Sequence, residues 1–169
     1  YPSQVREAVR RRLKSVERIP VFSSQGTEVK DLFREGQVTV LLLRDLDSLL
    51  RGVVIGILIR RIMALRGVTA EGEKRLEIKL RESKQQETDE VRKLKNTIQG
   101  GIPRGWILID EAHNYIPQVG IIGSKAPIKK YVNEGRNIGL SLAVTTQQPS
   151  GLDAAIRRNA DVLIVHRIT

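Results

Sequence analysis

The feature that most restricts the fold is a run of four apolar residues, Trp106-Ile107-Leu108-Ile109, that passes directly into Asp110-Glu111. A short unbroken apolar run ended by carboxylates reads as a buried strand that delivers acid groups to one edge of a parallel sheet. Comparable runs occur at 38–43, which leads to Asp45 and Asp47, at 140–145, which leads into Thr146-Gln147-Gln148-Pro149, and at 161–165. Helical spacing separates them. Residues 128–133 predict a helix, 135–139 a turn, and 154–158 a short helix capped by Asp153. Strands alternating with helices define an α/β domain with a mainly parallel sheet and flanking helices.

The remaining chain divides by composition. Within residues 1–18, Val5, Val9, Leu13 and Val16 recur at helical spacing behind Ser3 as an N-cap, with six basic and two acidic side chains, predicting a basic amphipathic helix. Residues 19–66 carry a loop, a helical turn near 29–33, a Glu35-Gly36 break, the strand at 38–43 and a helix over 49–65. That helix, capped by Asp47 or Ser48, has apolar residues around most of its circumference and is expected to pack on the sheet. Residues 67–105 are dense in charge and read as an exposed insertion. Within it, Leu76, Ile78 and Leu80 alternate like a strand, whereas Val91, Leu94 and Ile98 are spaced like a helix. Residues 106–169 form the last unit.

Composition excludes several classes. The 169 residues contain no cysteine, so neither a disulfide framework nor a Cys-based zinc site is available, and the two histidines, His113 and His166, lie far apart. The most apolar stretch, 49–65, is interrupted by Arg51, Arg60 and Arg61, which rules it out as a membrane span. No signal peptide is recognisable, and a cytoplasmic, reducing setting is expected. A net charge of +10 favours polyanions such as nucleic acid, and equally fits a solvated charged surface.

The chemistry converges on the carboxyl ends of the strands, where ligands bind in open α/β folds. Asp110 there is placed to hold Mg²⁺, directly or through water. Glu111, one residue further and off the strand, is placed to polarise a water attacking a γ-phosphate. Gln147 ends the next strand with an amide suited to a phosphoryl oxygen or that water. Arg136, just before that strand, carries a guanidinium suited to phosphoryl oxygens, and is read as lying at the same sheet edge. Each residue singly is also what an ordinary strand end or protein surface carries; the ordered set is what points to phosphoryl transfer.

Residues 106–113 (Trp-Ile-Leu-Ile-Asp-Glu-Ala-His), 134–140 (Glu-Gly-Arg-Asn-Ile-Gly-Leu), 145–150 (Thr-Thr-Gln-Gln-Pro-Ser) and 159–162 (Asn-Ala-Asp-Val) together resemble the C-terminal half of the HerA/FtsK ATPases, most closely the archaeal HerA-type branch. Residues 36–67 match more weakly, as the preceding strand and helix. The resemblance implies a partial RecA-like P-loop NTPase fold and a hexameric, ATP- and Mg²⁺-dependent DNA translocase or helicase. It further implies DNA end processing in repair beside a NurA-type nuclease. Asp110 and Glu111 then correspond to the Walker B pair, Gln147 to the γ-phosphate sensor, and Arg136 to an arginine finger acting on the neighbouring subunit's nucleotide. The family often has Gln-Arg-Pro where this chain has Gln147-Gln148-Pro149, so no arginine role is carried over there.

A P-loop of the form G-x-x-x-x-G-K-[ST] is absent from the sequence. Gly67 and Gly72 have the glycine spacing, but Glu73 stands where lysine is required. Gly120 to Lys125 has the wrong spacing and no strand before it. The expectation is that the phosphate-binding loop lies upstream of Tyr1 and that this portion alone is inactive; the resemblance further implies that a central strand is missing, so that 161–165 has one unpaired edge or pairs with something other than its family neighbour. The competing expectation is a non-catalytic nucleic-acid-binding or scaffold module on a degenerate ATPase fold.

Overall fold

A computed structural model describes residues 5–8, 10–11, 25–82 and 88–166. Residues 5–8 and 10–11 are helical and exposed, and Ser3, Val9, Leu13 and Val16, on which the amphipathic pattern rests, lie outside the described residues. The ordered elements are α1 (Val29–Leu32), α2 (Ser48–Glu82), α3 (Asp89–Gln99), β1 (Gly105–Ile109), α4 (Lys125–Glu134), β2 (Leu140–Val144) and α5 (Ala154–Arg158), with single 3₁₀ turns at Ala112–Asn114, Gly135–Ile138 and Pro149–Gly151.

The sheet is parallel. β1 and β2 pair in register from Gly105 opposite Leu140 to Ile109 opposite Val144. Ile107, Ile109, Leu140, Leu142 and Val144 pack into a core with Ile59, Ile128 and Tyr131, while Trp106 and Leu108 on the other side of β1 remain 64% and 75% exposed. The fold is thus a mixed α/β arrangement with helices flanking a two-stranded parallel sheet, consistent with part of a RecA-like fold.

Helix α2 organises the rest. Asp47 starts it, its carboxylate accepting from Leu50 N at 2.9 Å, which satisfies one of the amide donors a helix start leaves free. Its buried residues Gly52, Gly56, Ile59, Ile62, Arg66 and Thr69 are spaced three or four apart, and Ala70 and Gly72 continue the buried side, so they form one stripe. The first half of that stripe meets the turn before α4 at glycine-to-backbone distance: a Cβ on Gly56 would stand 2.5 Å from the Gly123 carbonyl oxygen. The second half packs against α3, which begins on the Thr88 hydroxyl and carries Asp89 and Glu90 in its first turn, the favourable charge for that end.

Several expectations are corrected. Although apolar residues surround most of α2 between 49 and 65, only one side of it is covered, and Leu49, Ile57 and Leu65 are exposed. The alternation of Leu76, Ile78 and Leu80 is not a strand but the continuation of α2, which runs without interruption past residue 67. The reason is local: the segment is rich in Glu, Lys, Arg and Leu, and the pairs Arg75–Glu71 at 2.5 Å and Arg81–Glu77 at 2.6 Å are i,i+4 contacts that only a helix creates.

Residues 38–43 and 161–165 belong to no strand ladder among the described residues, although both carry the expected apolar composition. Val38, Val40 and Leu42 are 89%, 73% and 76% exposed. A strand exists only with a partner to share its hydrogen bonds. The start of 38–43 is instead tied back to α1, with Gln37 Nε2 donating to Asp31 O at 3.0 Å and Thr39 Oγ1 donating to Leu32 O at 2.8 Å. Residues 162–165 are exposed throughout. One unpaired edge was expected at 161–165; both edges are unpaired.

Candidate active site

The site is built where β1 and β2 end together. Thr145 N donates to Ile109 O at 3.0 Å and Ala112 N donates to Thr145 O at 2.9 Å, so the ladder zips one step beyond the strands. This places the side chains that follow each strand against one another. Asp110 Oδ1 accepts from Glu111 N at 3.0 Å and from the Thr145 hydroxyl. Gln147 Nε2 donates to Glu111 Oε1 at 2.6 Å. Gln147, 36 residues after Glu111 in sequence, thereby shares one locus with Asp110 and Glu111.

Glu111 has φ 48°, the single non-glycine left-handed residue among those described. That conformation is uncommon for a glutamate and disfavoured for L-residues, and it turns the chain sharply off β1 into the 3₁₀ turn begun by the buried Ala112. The second Glu111 oxygen, Oε2, is buried and makes no hydrogen bond. An orphaned buried carboxylate oxygen costs free energy, and it marks the position at which a water or another polar group would be accepted.

His113 completes the cluster. Its Nδ1 shares a hydrogen bond with Thr146 Oγ1 at 3.0 Å and lies 3.3 Å from Glu111 Oε2. The side chain is 16% exposed. Thr146 Oγ1 also accepts from Gln148 N at 3.0 Å, which folds the residues after β2 toward the site. Sequence reasoning assigned His113 no role. The available signal was its position two residues after Glu111, matched by a threonine immediately before Gln147.

Arg136 is not part of this cluster, and its expected place at the same sheet edge is corrected. It sits in the 3₁₀ turn before β2, at the amino end of a parallel sheet whose carboxyl ends carry Asp110 and Glu111. Five strand residues separate the two ends by about 17 Å. The side chain is 86% exposed and 3.9 Å from Asp161 Oδ1.

The two glycine pairs that mimic a phosphate-binding loop are otherwise engaged. Gly67 and Gly72 lie inside α2, where amides are spent within the helix. Lys125 Nζ donates to Gln118 O and Gly120 O and pairs with Asp153 at 3.4 Å. No cluster of three or more His, Cys, Asp or Glu side chains that would cage a metal occurs among the described residues. The donor set at Asp110 instead fits Mg²⁺, which is commonly held by one or two carboxylates together with water and substrate phosphate oxygens. No helix among the described residues is long and apolar enough to cross a membrane.

No protein-family model matches the chain. Over 139 residues, 80% of its length, the sequence is 27% identical to the DNA double-strand break repair helicase HerA of Pyrococcus furiosus. The aligned part makes up 25% of that helicase, so the chain spans about a quarter of the relative it matches.

Proposed function

We propose that this chain forms the Walker B and sensor portion of an ATP-driven DNA translocase or helicase of the HerA type, acting in DNA end processing. The observation that carries the reading is the contact of Gln147 with Glu111 at the joined carboxyl ends of two parallel strands, beside a buried carboxylate oxygen that no protein group satisfies. The distant similarity to a repair helicase points the same way, as does the net charge of +10, which suits a polyanion.

In this reading ATP with Mg²⁺ supplies the scissile phosphoanhydride and the charge that neutralises its oxygens. Asp110, held by the Glu111 amide and the Thr145 hydroxyl, has its other carboxylate oxygen available toward the metal, directly or through water. Glu111 Oε2 accepts a proton from the attacking water. Gln147 holds Oε1 and so fixes the carboxylate plane; its amide would report on the γ-phosphate of a bound nucleotide. Arg136, at the far end of β2 and exposed, cannot serve the nucleotide of its own subunit and would complete a neighbour's site in a hexameric ring. A NurA-type nuclease is the partner in end processing.

The test is Glu111→Gln in the complete polypeptide that carries this chain. Nucleotide binding is expected to persist and hydrolysis to fall by roughly 10²-fold, the scale of losing a general base. Wild-type turnover by that variant would remove Glu111 from the chemistry. Absence of Mg²⁺-dependent turnover in the complete wild-type polypeptide, with DNA binding retained, would favour the non-catalytic nucleic-acid-binding or scaffold module.

A further inference from the structure

The strongest unassigned feature is the imidazole of His113. Glu111 leaves β1 in a left-handed conformation, so no regular element dictates where its side chain points. Its direction is set by neighbours. Gln147 takes one oxygen at 2.6 Å, and the neighbour of the other, unsatisfied oxygen is His113 Nδ1 at 3.3 Å. That same nitrogen lies 3.0 Å from Thr146 Oγ1, on the loop that presents Gln147. The histidine backbone is equally anchored, because Ala112, which precedes it, is fully buried and donates its N–H to Thr145 O.

We propose that His113 is a positioning residue that ties the Glu111 carboxylate to the Thr146-Gln147 strand end, so that carboxylate and amide hold one arrangement. The inference rests on the reading of Glu111 given above. The physical content is a shared nitrogen. Nδ1 stands between two oxygens from the ends of different strands, 3.0 Å from one and 3.3 Å from the other. Bonding to Thr146 fixes the ring while leaving Oε2 within reach but unconsumed, the state in which it can take a proton from water. Without the ring's polar edge, Oε2 loses the group that faces it at 3.3 Å while the Gln147 bond to Oε1 stays, and the carboxylate is free to rotate about that bond away from the direction of attack. Displacements of about 1 Å at such a group lower turnover by up to 10²-fold.

Two substitutions separate this role from simple packing. His113→Asn retains a polar atom on the same branch point that carries Nδ1, and His113→Leu retains bulk without it. In the complete polypeptide, with Glu111→Gln alongside, His113→Leu is expected to lower kcat about tenfold with KM for ATP changed less than twofold, and His113→Asn to recover kcat to within about threefold of wild type. Wild-type kcat for His113→Leu, or an Asn variant as impaired as the Leu variant, overturns the proposal. If Glu111→Gln also leaves turnover unchanged, the fault lies in the reading of Glu111 and the His113 role falls with it. A readout independent of hydrolysis is the ring ¹⁵N resonance of His113. Thr146→Val and Glu111→Gln should each shift the Nδ1 signal, and an Nδ1 signal unmoved by both variants overturns the contact itself.

Discussion

Arg66 and Glu73, two turns apart on α2, are joined by parallel hydrogen bonds, Nη1 to Oε1 at 2.8 Å and Nη2 to Oε2 at 2.6 Å. Arg66 is 1% exposed and Glu73 30%. The guanidinium also donates from Nε to Ile138 O at 2.6 Å and from Nη1 to Ile102 O at 3.3 Å. Ile102 precedes β1 and Ile138 precedes β2, so one side chain pins the helix to the amino ends of both strands. Arg104, 3.6 Å from Glu73 Oε2, extends the network.

Removing one partner of this pair therefore costs more than removing both. Glu73→Ala leaves a buried guanidinium without its carboxylate and is expected to destabilise the fold by about 3 kcal/mol. Adding Arg66→Met to a Glu73→Leu background should recover part of that loss, because no uncompensated charge remains. Urea unfolding midpoints of the three proteins test this; a double variant less stable than Glu73→Ala would contradict it.

Stability should also fall in acid. The hydrogen bond from Arg66, with Arg104 nearby, holds the Glu73 carboxyl below its ordinary value despite partial burial. Burial raises Asp153, but the Ala155 amide with Lys125 and Lys129 outweighs it, and the net direction is again downward. A carboxyl whose pKa is lower folded than unfolded contributes stability above its unfolded pKa and loses it as pH falls through the folded value. The thermal midpoint is therefore expected to hold from neutral pH to about 5 and to drop below it. Glu73→Gln with Asp153→Asn should flatten that acid limb; an unchanged slope would show that other carboxyls dominate.

The close approach at Gly56 gives a third prediction, with an internal control. Gly56→Ala forces a methyl against the Gly123 carbonyl, which belongs to the backbone and cannot swing aside; a loss of about 2 kcal/mol is expected. Gly67→Ala, on the same helix with nothing within 4 Å of the new carbon, should stabilise by about 0.5–1 kcal/mol through helix propensity. Opposite signs in denaturant titrations would establish that α2 packs along one stripe; equal effects would not.

The position of Arg136 makes its proposed role testable by mixing subunits. Arg136→Ala in the complete polypeptide should abolish DNA-stimulated ATPase while sparing nucleotide binding, since an arginine supplied in trans is worth about 10³-fold or more. Mixed with Glu111→Gln subunits, it should regain activity at interfaces that join an intact Glu111 to an intact Arg136. ATPase rates across mixing ratios, after mixed rings are verified, decide the matter. Strict absence of rescue would return Arg136 to the role of a surface cation.

Much of this architecture is legible in local sequence. The apolar runs that became β1 and β2, the helix at 128–133, and Asp47 and Asp153 as helix caps follow from periodicity and hydrogen-bonding chemistry within a few residues. So does the proximity of Asp110, Glu111 and Gln147, because parallel strands in register bring their carboxyl ends together. Tertiary structure decided what depends on partners and direction. Residues 38–43 and 161–165 have strand composition but no ladder, since propensity cannot supply the missing edge. Arg136, adjacent to β2 in sequence, lies at the opposite end from Gln147 because a strand has two ends and the chain enters at one and leaves at the other. His113 beside Glu111 Oε2, and a fully buried Arg66 in a helix of mixed polarity, arise from contacts made only when distant segments pack.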